Sequence, residues 1–420
     1  MGRLKILFIK NRCEKIARHK ARKKKRKPNK KSNKKIELSN SQLVLKKDNF
    51  YKKPKICNRE KTVIEIPSRF NLINNPVESL NTLKEINYAF EQSKSKEINF
   101  DYSKCYDLGL DASVICDLLV SNGKSYRKSC NKKVKLSGNM PQGYAAGEIF
   151  CNSGLLRHLK LFNLEDKLVE RLDPFELEKD VNTATNKTIS YYNKCLQRYN
   201  IELNSKGVDY MNSLVGEIIG NANEHSGKYG EWYVSGHFSQ ASGNLEYGRG
   251  SLVFISIGNT IYENLKYNTK SDSTLSKLEK HLKYHKPLFD FAWNEEGSLT
   301  VLGLQYRISS VTDEEHPDRG TGTIQFIDSF SKLGSKIEGE IPKMAILSGS
   351  THILFDGTYN LKEKNIDNTP VKTIAFNKDN DIKKKPDSKY VKILDNRFPG
   401  VIISTNFYVD SRYLKKKEED

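Results

Sequence analysis

Residues 211–225 read MNSLVGEIIGNANEH, and their polar side chains are of types that can handle a metal-bound phosphate. At about 100° per residue Glu217, Asn221, Glu224 and His225 share one stripe of a helix. A carboxylate, a carboxamide and a second carboxylate along one stripe suit a hard cation, Mg²⁺ with its waters, beside a phosphate. His225 is a poor ligand for so hard an ion and reads as a structural or supporting neighbour. Gly216 and Gly220 sit beside the stripe. Two glycines in a helix cost about 1 kcal/mol each relative to alanine, which argues for close approach of a ligand or of another backbone.

A second stretch could do related chemistry. Residues 319–323 read RGTGT and run into Ile324, Ile327 and Phe330, a helical spacing that stops at Gly334. A glycine-rich turn ahead of a helix points backbone N–H groups outward at the positive end of the helix dipole, a cradle for polyphosphate. Gly320 and Gly322 supply the turn, and Arg319 could reach the same phosphates. RGTGT alone would more often be a plain loop. Its placement about a hundred residues after the acid-and-amide helix, with a strand ending at Gly258 between them, makes the pair a stronger signal.

The elements that must hold these residues follow from the apolar pattern. Met211, Leu214, Val215, Ile218, Ile219 and Ala222 give the first helix one buried face. Residues 231–238 (EWYVSGHF) and 252–257 (LVFISI) read as strands, the second apolar enough to be central. Leu275, Leu278 and Leu282 mark a helix over 274–284, and MAILSGSTHILF at 344–355 reads as a hairpin turning at Ser348, Gly349 and Ser350. Upstream, strands at 62–67, 97–100 and 134–138 alternate with helices through Val77 to Phe90, 112–120, 145–150 and 155–161. That alternation predicts an α/β fold. The expected division is a basic arm and linker at 1–61, a small α/β domain at 62–165, a connector at 166–205, a main domain at 206–358 and a lysine-rich accessory segment at 359–420.

Composition narrows the function classes. The net charge is +20, and residues 1–35 hold about 17 Lys or Arg against the single Glu14, so the arm carries about +16 of it. Such an arm cannot bury itself, is expected to be disordered in isolation, and can bind an anionic polymer by counterion release. Nucleic acid is one candidate; a solubilising or anionic-surface role is the other, since the arm has little aromatic interleaving. The seven cysteines form no C-x-x-C pair, which favours free thiols over a zinc knuckle or a disulfide framework. No stretch approaches eighteen apolar residues, and the run at 4–9 is too short for a secretory signal, so a cytoplasmic protein without a membrane span is expected. His158 lacks the acidic neighbour and following proline of a histidine-kinase acceptor, His316 before Pro317 reads as a loop residue, and no nucleophile elbow or zinc-hydrolase helix occurs.

The order of motifs over about 210–355 resembles the GHKL superfamily, the ATP-binding module of histidine kinases, gyrase, heat-shock chaperones, mismatch-repair proteins and anti-sigma kinases. Its N box is matched by Glu217, Asn221, Ala222, Glu224 and His225, and the NA-x-x-H ending looks most like the anti-sigma and stand-alone branches. The resemblance implies a Bergerat-type α+β sandwich binding ATP, with Asn221 coordinating Mg²⁺, Glu217 orienting or deprotonating a water, and the amides of Gly320 and Gly322 holding phosphates. Where the family has D-x-G-x-G-I this chain has SIGNTI: Ser256 stands for the adenine-reading aspartate, Gly258 remains and Thr260 replaces the second glycine. A serine hydroxyl can still accept from adenine, more weakly than a carboxylate. The segment 259–317, with Trp293, Gly297 and Ser298, would be the lid. The small domain resembles the STAS-like domain of anti-anti-sigma factors in its strand carrying Asp101, Ser103 and Cys105 and its apolar helix from Asp111. The family's phosphate-accepting serine has only the late Ser113 near it, so an interaction or dimerisation role, including a homodimer, is expected. Three functions follow: a Mg-ATP switch with slow hydrolysis controlling a protein partner, an anti-sigma-type serine/threonine kinase, or a non-enzymatic nucleic-acid scaffold with a degenerate site.

Overall fold

The alternating amino-terminal pattern folds as a small open sheet with helices packed on it. The computed structural model describes residues 52–417 except 154–155, 157, 159–179, 227–230, 243–244, 306–307, 309–320, 335, 337–340 and 367–368. The chain divides after Leu38 into two units, and the first, which holds the basic arm, lies outside the described residues. In the second unit β1 (Ile56–Cys57) and β2 (Lys61–Glu65) lead through β3 (Arg69–Phe70) to α1 (Pro76–Glu91), then β4 (Glu97–Asp101), β5 (Asp107–Leu108), α2 (Leu110–Ser129), β6 (Lys135–Gly138) and α3 (Tyr144–Asn152). The sheet order is β1-β2-β4-β6, with β2, β4 and β6 parallel, as the helical crossovers require. Ser113, early in α2, is 2% exposed, so it offers no surface hydroxyl for phosphorylation.

The rest of the unit builds one larger sheet and its helices. After α4 (Val181–Gln197) and β7 (Ile201–Leu203) comes the glycine-bearing helix, α5 (Ser205–His225), followed by β8 (Glu231–Ser239) and β9 (Arg249–Ile257). Residues 259–317, expected from sequence to form a lid, include α6 (Ile261–Glu263), a π turn, α7 (Asp272–His285) and α8 (Glu295–Gly303). Then follow α9 (Gly322–Leu333), the hairpin β10 (Lys343–Ser348) and β11 (Thr351–Phe355), the ribbon β12 (Lys362–Ile366) and β13 (Thr369–Thr373), β14 (Val391–Ile393), β15 (Gly400–Phe407) and β16 (Leu414–Lys416). Six strands form an antiparallel sheet in the order β14-β11-β10-β15-β9-β8.

Successive residues of β9 point to opposite faces. Leu252 and Phe254 join the core under α4, α5 and α9, whereas Val253, Ile255 and Ile257 share a second core with Phe70, Leu110 and Phe150 of the small unit. The small α/β unit therefore covers one face of the large sheet, and the helices that carry the candidate chemistry cover the other.

The carboxy-terminal segment corrects the sequence expectation of an accessory piece. β15 lies inside the sheet between β10 and β9, with Ile403 opposite both Ile346 and Phe254, and its Ile402 and Phe407 are each 1% exposed. Two further strands of this segment, β14 and β16, close the edge of the large sheet and pair with β7. Among the described residues no helix is long and apolar enough to cross a membrane.

Candidate functional site

α5 is fixed at its start by the Asn204 side chain, which accepts from Gly207 N at 3.0 Å. Its buried face, Met211, Leu214, Val215, Ile218 and Ile219, lies against the large sheet and α9. With that face pinned, Glu217, Gly220, Asn221 and Glu224 border a cavity of about 420 Å³. The opposite wall is the start of α9, at Thr321, Gly322 and Thr323, and the floor is the sheet through Phe254, Ser256, Ile346 and Ile403. Glu217, Asn221, Glu224, Ser256 and Gly322, all singled out from sequence, therefore face one space.

At one end of the cavity the two helices nearly touch. A side chain on Gly322 would meet the movable end of Glu217, its carboxylate, and stand 3.7 Å from Asn221 Nδ2, so the start of α9 faces both side chains directly. The N-cap Thr321 makes no side-chain cap hydrogen bond to α9, and Thr321, Gly322 and Thr323 at the start of the helix line the cavity. Glu217 and Asn221 make no hydrogen bond with any described residue. Burial, and then the charge of Glu224, push the Glu217 carboxyl above the usual carboxylate range. Glu224 itself is exposed at the rim. A half-buried carboxylate, a carboxamide with no partner among the described residues and the start of a helix can together receive a polyanion and its cation.

The other end lies some nine residues, about 13 Å, further along α5. Here Ser256 is 6% exposed at the foot of β9, opposite Trp232 and Val401. Gly258 does not line the cavity. Its role is steric: any side chain would run into the Ser226 carbonyl, and its N–H donates to Pro399 O at 3.1 Å. This lets the β9 turn close on the end of α5, where Asn259 N donates to Ser226 O at 3.1 Å. Thr260 caps α6, its hydroxyl accepting from Glu263 N at 3.1 Å while the Glu263 carboxylate accepts from Thr260 N at 3.0 Å.

The lid segment walls the cavity with Ile261, Asn264, Leu265, Gly303, Leu304 and Ile308. Asn264 Nδ2 donates to His225 O at 2.7 Å, Ile261 N donates to Ser348 Oγ at 3.0 Å, and Arg397 pairs with Glu263 at 2.8 Å. Trp293 Nε1 donates to His285 Nδ1 at 3.0 Å, so His285 carries its proton on Nε2 and donates to Ile382 O at 2.8 Å. Ser298 bonds His281 at 2.9 Å. Trp293 and Ser298 thus tie the lid together and do not face the cavity.

Arg319, Gly320 and His316 lie outside the described residues. His225 lines the cavity beside Ser226, and His158 pairs with Asp117 in the small unit at 2.9 Å. For Gly216 and Gly220 the backbone half of the expectation does not hold, while Gly220 borders the space a ligand would fill. No other backbone approaches either: a methyl on Gly216 would meet only Thr185 at 3.9 Å, and one on Gly220 would stand in the cavity with nothing within 4 Å. Sequence reasoning missed Asn259 and Asn264, whose N-x₄-N spacing in GNTIYEN was the available signal, and the cavity residues Val401 and Ile403 of β15.

Among the described residues no group of three or more His, Cys, Asp or Glu is placed to hold a metal. Mg²⁺ is commonly held by one or two side-chain oxygens, with phosphates and waters completing its shell, and Asn221 with Glu217 fits that pattern. No family model, curated protein or solved structure matches the chain.

Proposed function

We propose that this cavity binds a nucleoside triphosphate with Mg²⁺ and that the protein is a GHKL-type switch, its main domain an ATPase and its small unit a STAS-like interaction domain. The observation that carries the reading is the meeting of Glu217 and Asn221 with the uncapped start of α9 at Gly322, across a cavity whose far end is the buried Ser256. Asn221 would hold the cation, and the first amides of α9, with Gly320 and Arg319, the phosphates. When bound, Mg-ATP supplies the phosphoanhydride and the charge that draws these groups together. Glu217, with its raised proton affinity, accepts a proton from the attacking water more readily than an ordinary surface carboxylate. Closure by α6 and α8 excludes bulk water, and the resulting movement is read by a protein partner.

The test is a thermal-shift titration of the full chain with Mg²⁺ and nucleotide. Saturation at a hundred times Kd stabilises the folded state by about 2.7 kcal/mol. Asn221→Ala should lose most of that shift, and Glu217→Ala should keep it while phosphate release stops. Absence of any shift at millimolar ATP sinks the reading. Transfer to Ser113, the serine nearest the family's acceptor position, is disfavoured by its burial, so a kinase role of the anti-sigma type would act on a separate acceptor protein. The arm charge of about +16 favours one addition, RNA or DNA binding through residues 1–35. Removing those residues should abolish salt-dependent nucleic-acid binding and leave the nucleotide shift unchanged.

A further inference from the structure

Resting on the nucleotide reading of this cavity, we infer that its base end accepts a 6-oxo purine as readily as adenine, so that GTP is a ligand comparable to ATP. Ser256 is 94% buried, lines the cavity, and its hydroxyl has no hydrogen-bond partner among the described residues. An ionised carboxylate in that place could only accept, which would select the 6-amino group of adenine and repel the 6-oxo group of guanine. A hydroxyl rotates to donate to one or accept from the other.

Asn259 adds a second element. Its Nδ2 donates to Asn264 Oδ1 at 3.1 Å, and that oxygen also accepts from Asn268 Nδ2 at 2.8 Å. Asn264 is anchored in turn by its 2.7 Å bond to His225 O. The Asn259 side chain is thereby oriented, with its carboxamide oxygen free of any donor among the described residues. An oriented acceptor beside the cavity suits the N1–H and amino donors of guanine, and adenine, whose N1 is itself an acceptor, makes no better use of it. Ser226, Phe254, Ser256, Asn259 and Asn264 at this end include no carboxylate, and Glu224, two residues before Ser226, is exposed at the rim and not buried among them. Strong discrimination between bases needs a buried group that one of them leaves unpaired; Asn259 is only half-buried, so water can serve its oxygen when adenine does not.

Isothermal titration of the full chain with ATP and GTP, each with Mg²⁺, decides the point, with Ser256→Asp and Ser256→Ala as variants. In the wild type the GTP Kd is expected to be no more than tenfold above that for ATP. Ser256→Asp should raise the GTP-to-ATP ratio of Kd values at least tenfold, and Ser256→Ala should weaken both nucleotides and keep the ratio. A wild-type preference for ATP above tenfold, or an unchanged ratio in a folded Ser256→Asp variant, overturns the inference and leaves the nucleotide site standing. Failure of every nucleotide to bind overturns both. Should Ser256→Asp not fold, the wild-type ratio decides alone.

Discussion

Glu217 shows how a residue legible in the sequence acquires properties that are not. Its spacing from Asn221 and Glu224 follows from helical geometry, so the shared stripe could be read directly. Its proton affinity could not, because that comes from burial under α9 and then from the charge of Glu224, and the first depends on where a helix a hundred residues later is placed. The folded state holds the Glu217 proton more tightly than the unfolded chain does. The folded state therefore binds more protons through the upper carboxylate range, and stability falls as pH rises through it. Glu217→Gln should accordingly melt higher than wild type at pH 7.5, with the gap closing as the pH is lowered to 4; a gap independent of pH would show that the carboxylate carries no such penalty. Ser256 is the opposite case: its identity was plain, but its burial at the floor of the cavity, without a partner, is a product of the strands on either side.

At the scale of elements, α5 and α9 were legible because a helix declares itself within about fifteen residues, and both ran as their apolar spacing required. The run PGVIIST at 399–405 is apolar enough to read as a strand, but nothing in it marks β15 as a central one. Pairing with β9 joins residues about 150 apart, and no local pattern names a partner at that distance. The two glycines of α5 separate structure from function within one element. Gly216 faces Thr185 at ordinary contact distance, and Gly220 faces the cavity, so neither is needed for helix packing. Gly216→Ala and Gly220→Ala should each stabilise the fold, by up to about 1 kcal/mol from helix propensity. Only Gly220→Ala should weaken nucleotide binding, since its methyl occupies ligand space. Denaturant titrations paired with nucleotide titrations separate the two effects, and equal binding by both variants would remove Gly220 from the site wall.

At the scale of the molecule, the small α/β unit and the large sheet meet through buried polar groups whose titration can part them. His352 of β11 donates from Nε2 to Leu72 O at 2.8 Å, and burial lowers its pKa to about 4. His237 of β8, with Glu148 of α3 at 4.0 Å, is likewise lowered to about 4, by burial and then by Arg249. Asp111 at the start of α2, which accepts from Leu72 N at 3.0 Å, is raised by burial to about 6. Each histidine binds fewer protons folded than unfolded between about 6.5 and 4, so it loses stability as the pH falls through that window, about 2 kcal/mol by pH 5. Asp111 works the other way, binding more protons when folded between about 3.8 and 6, and offsets part of that loss. Two histidines against one carboxylate leave a net loss on mild acidification where the layers meet, and His281 of α7, lowered by burial to about 4, adds to it elsewhere. The melting temperature should therefore fall between pH 7 and pH 5. His352→Gln, whose amide can still donate to Leu72 O, should make that fall clearly shallower even if it starts from a lower value at pH 7. The slope is the readout, because lost packing shifts both ends equally, whereas removal of a titrating group changes only the difference between them. An unchanged slope would mean that His352 takes up its proton as readily in the folded state as in the unfolded one and that any acid loss arises elsewhere.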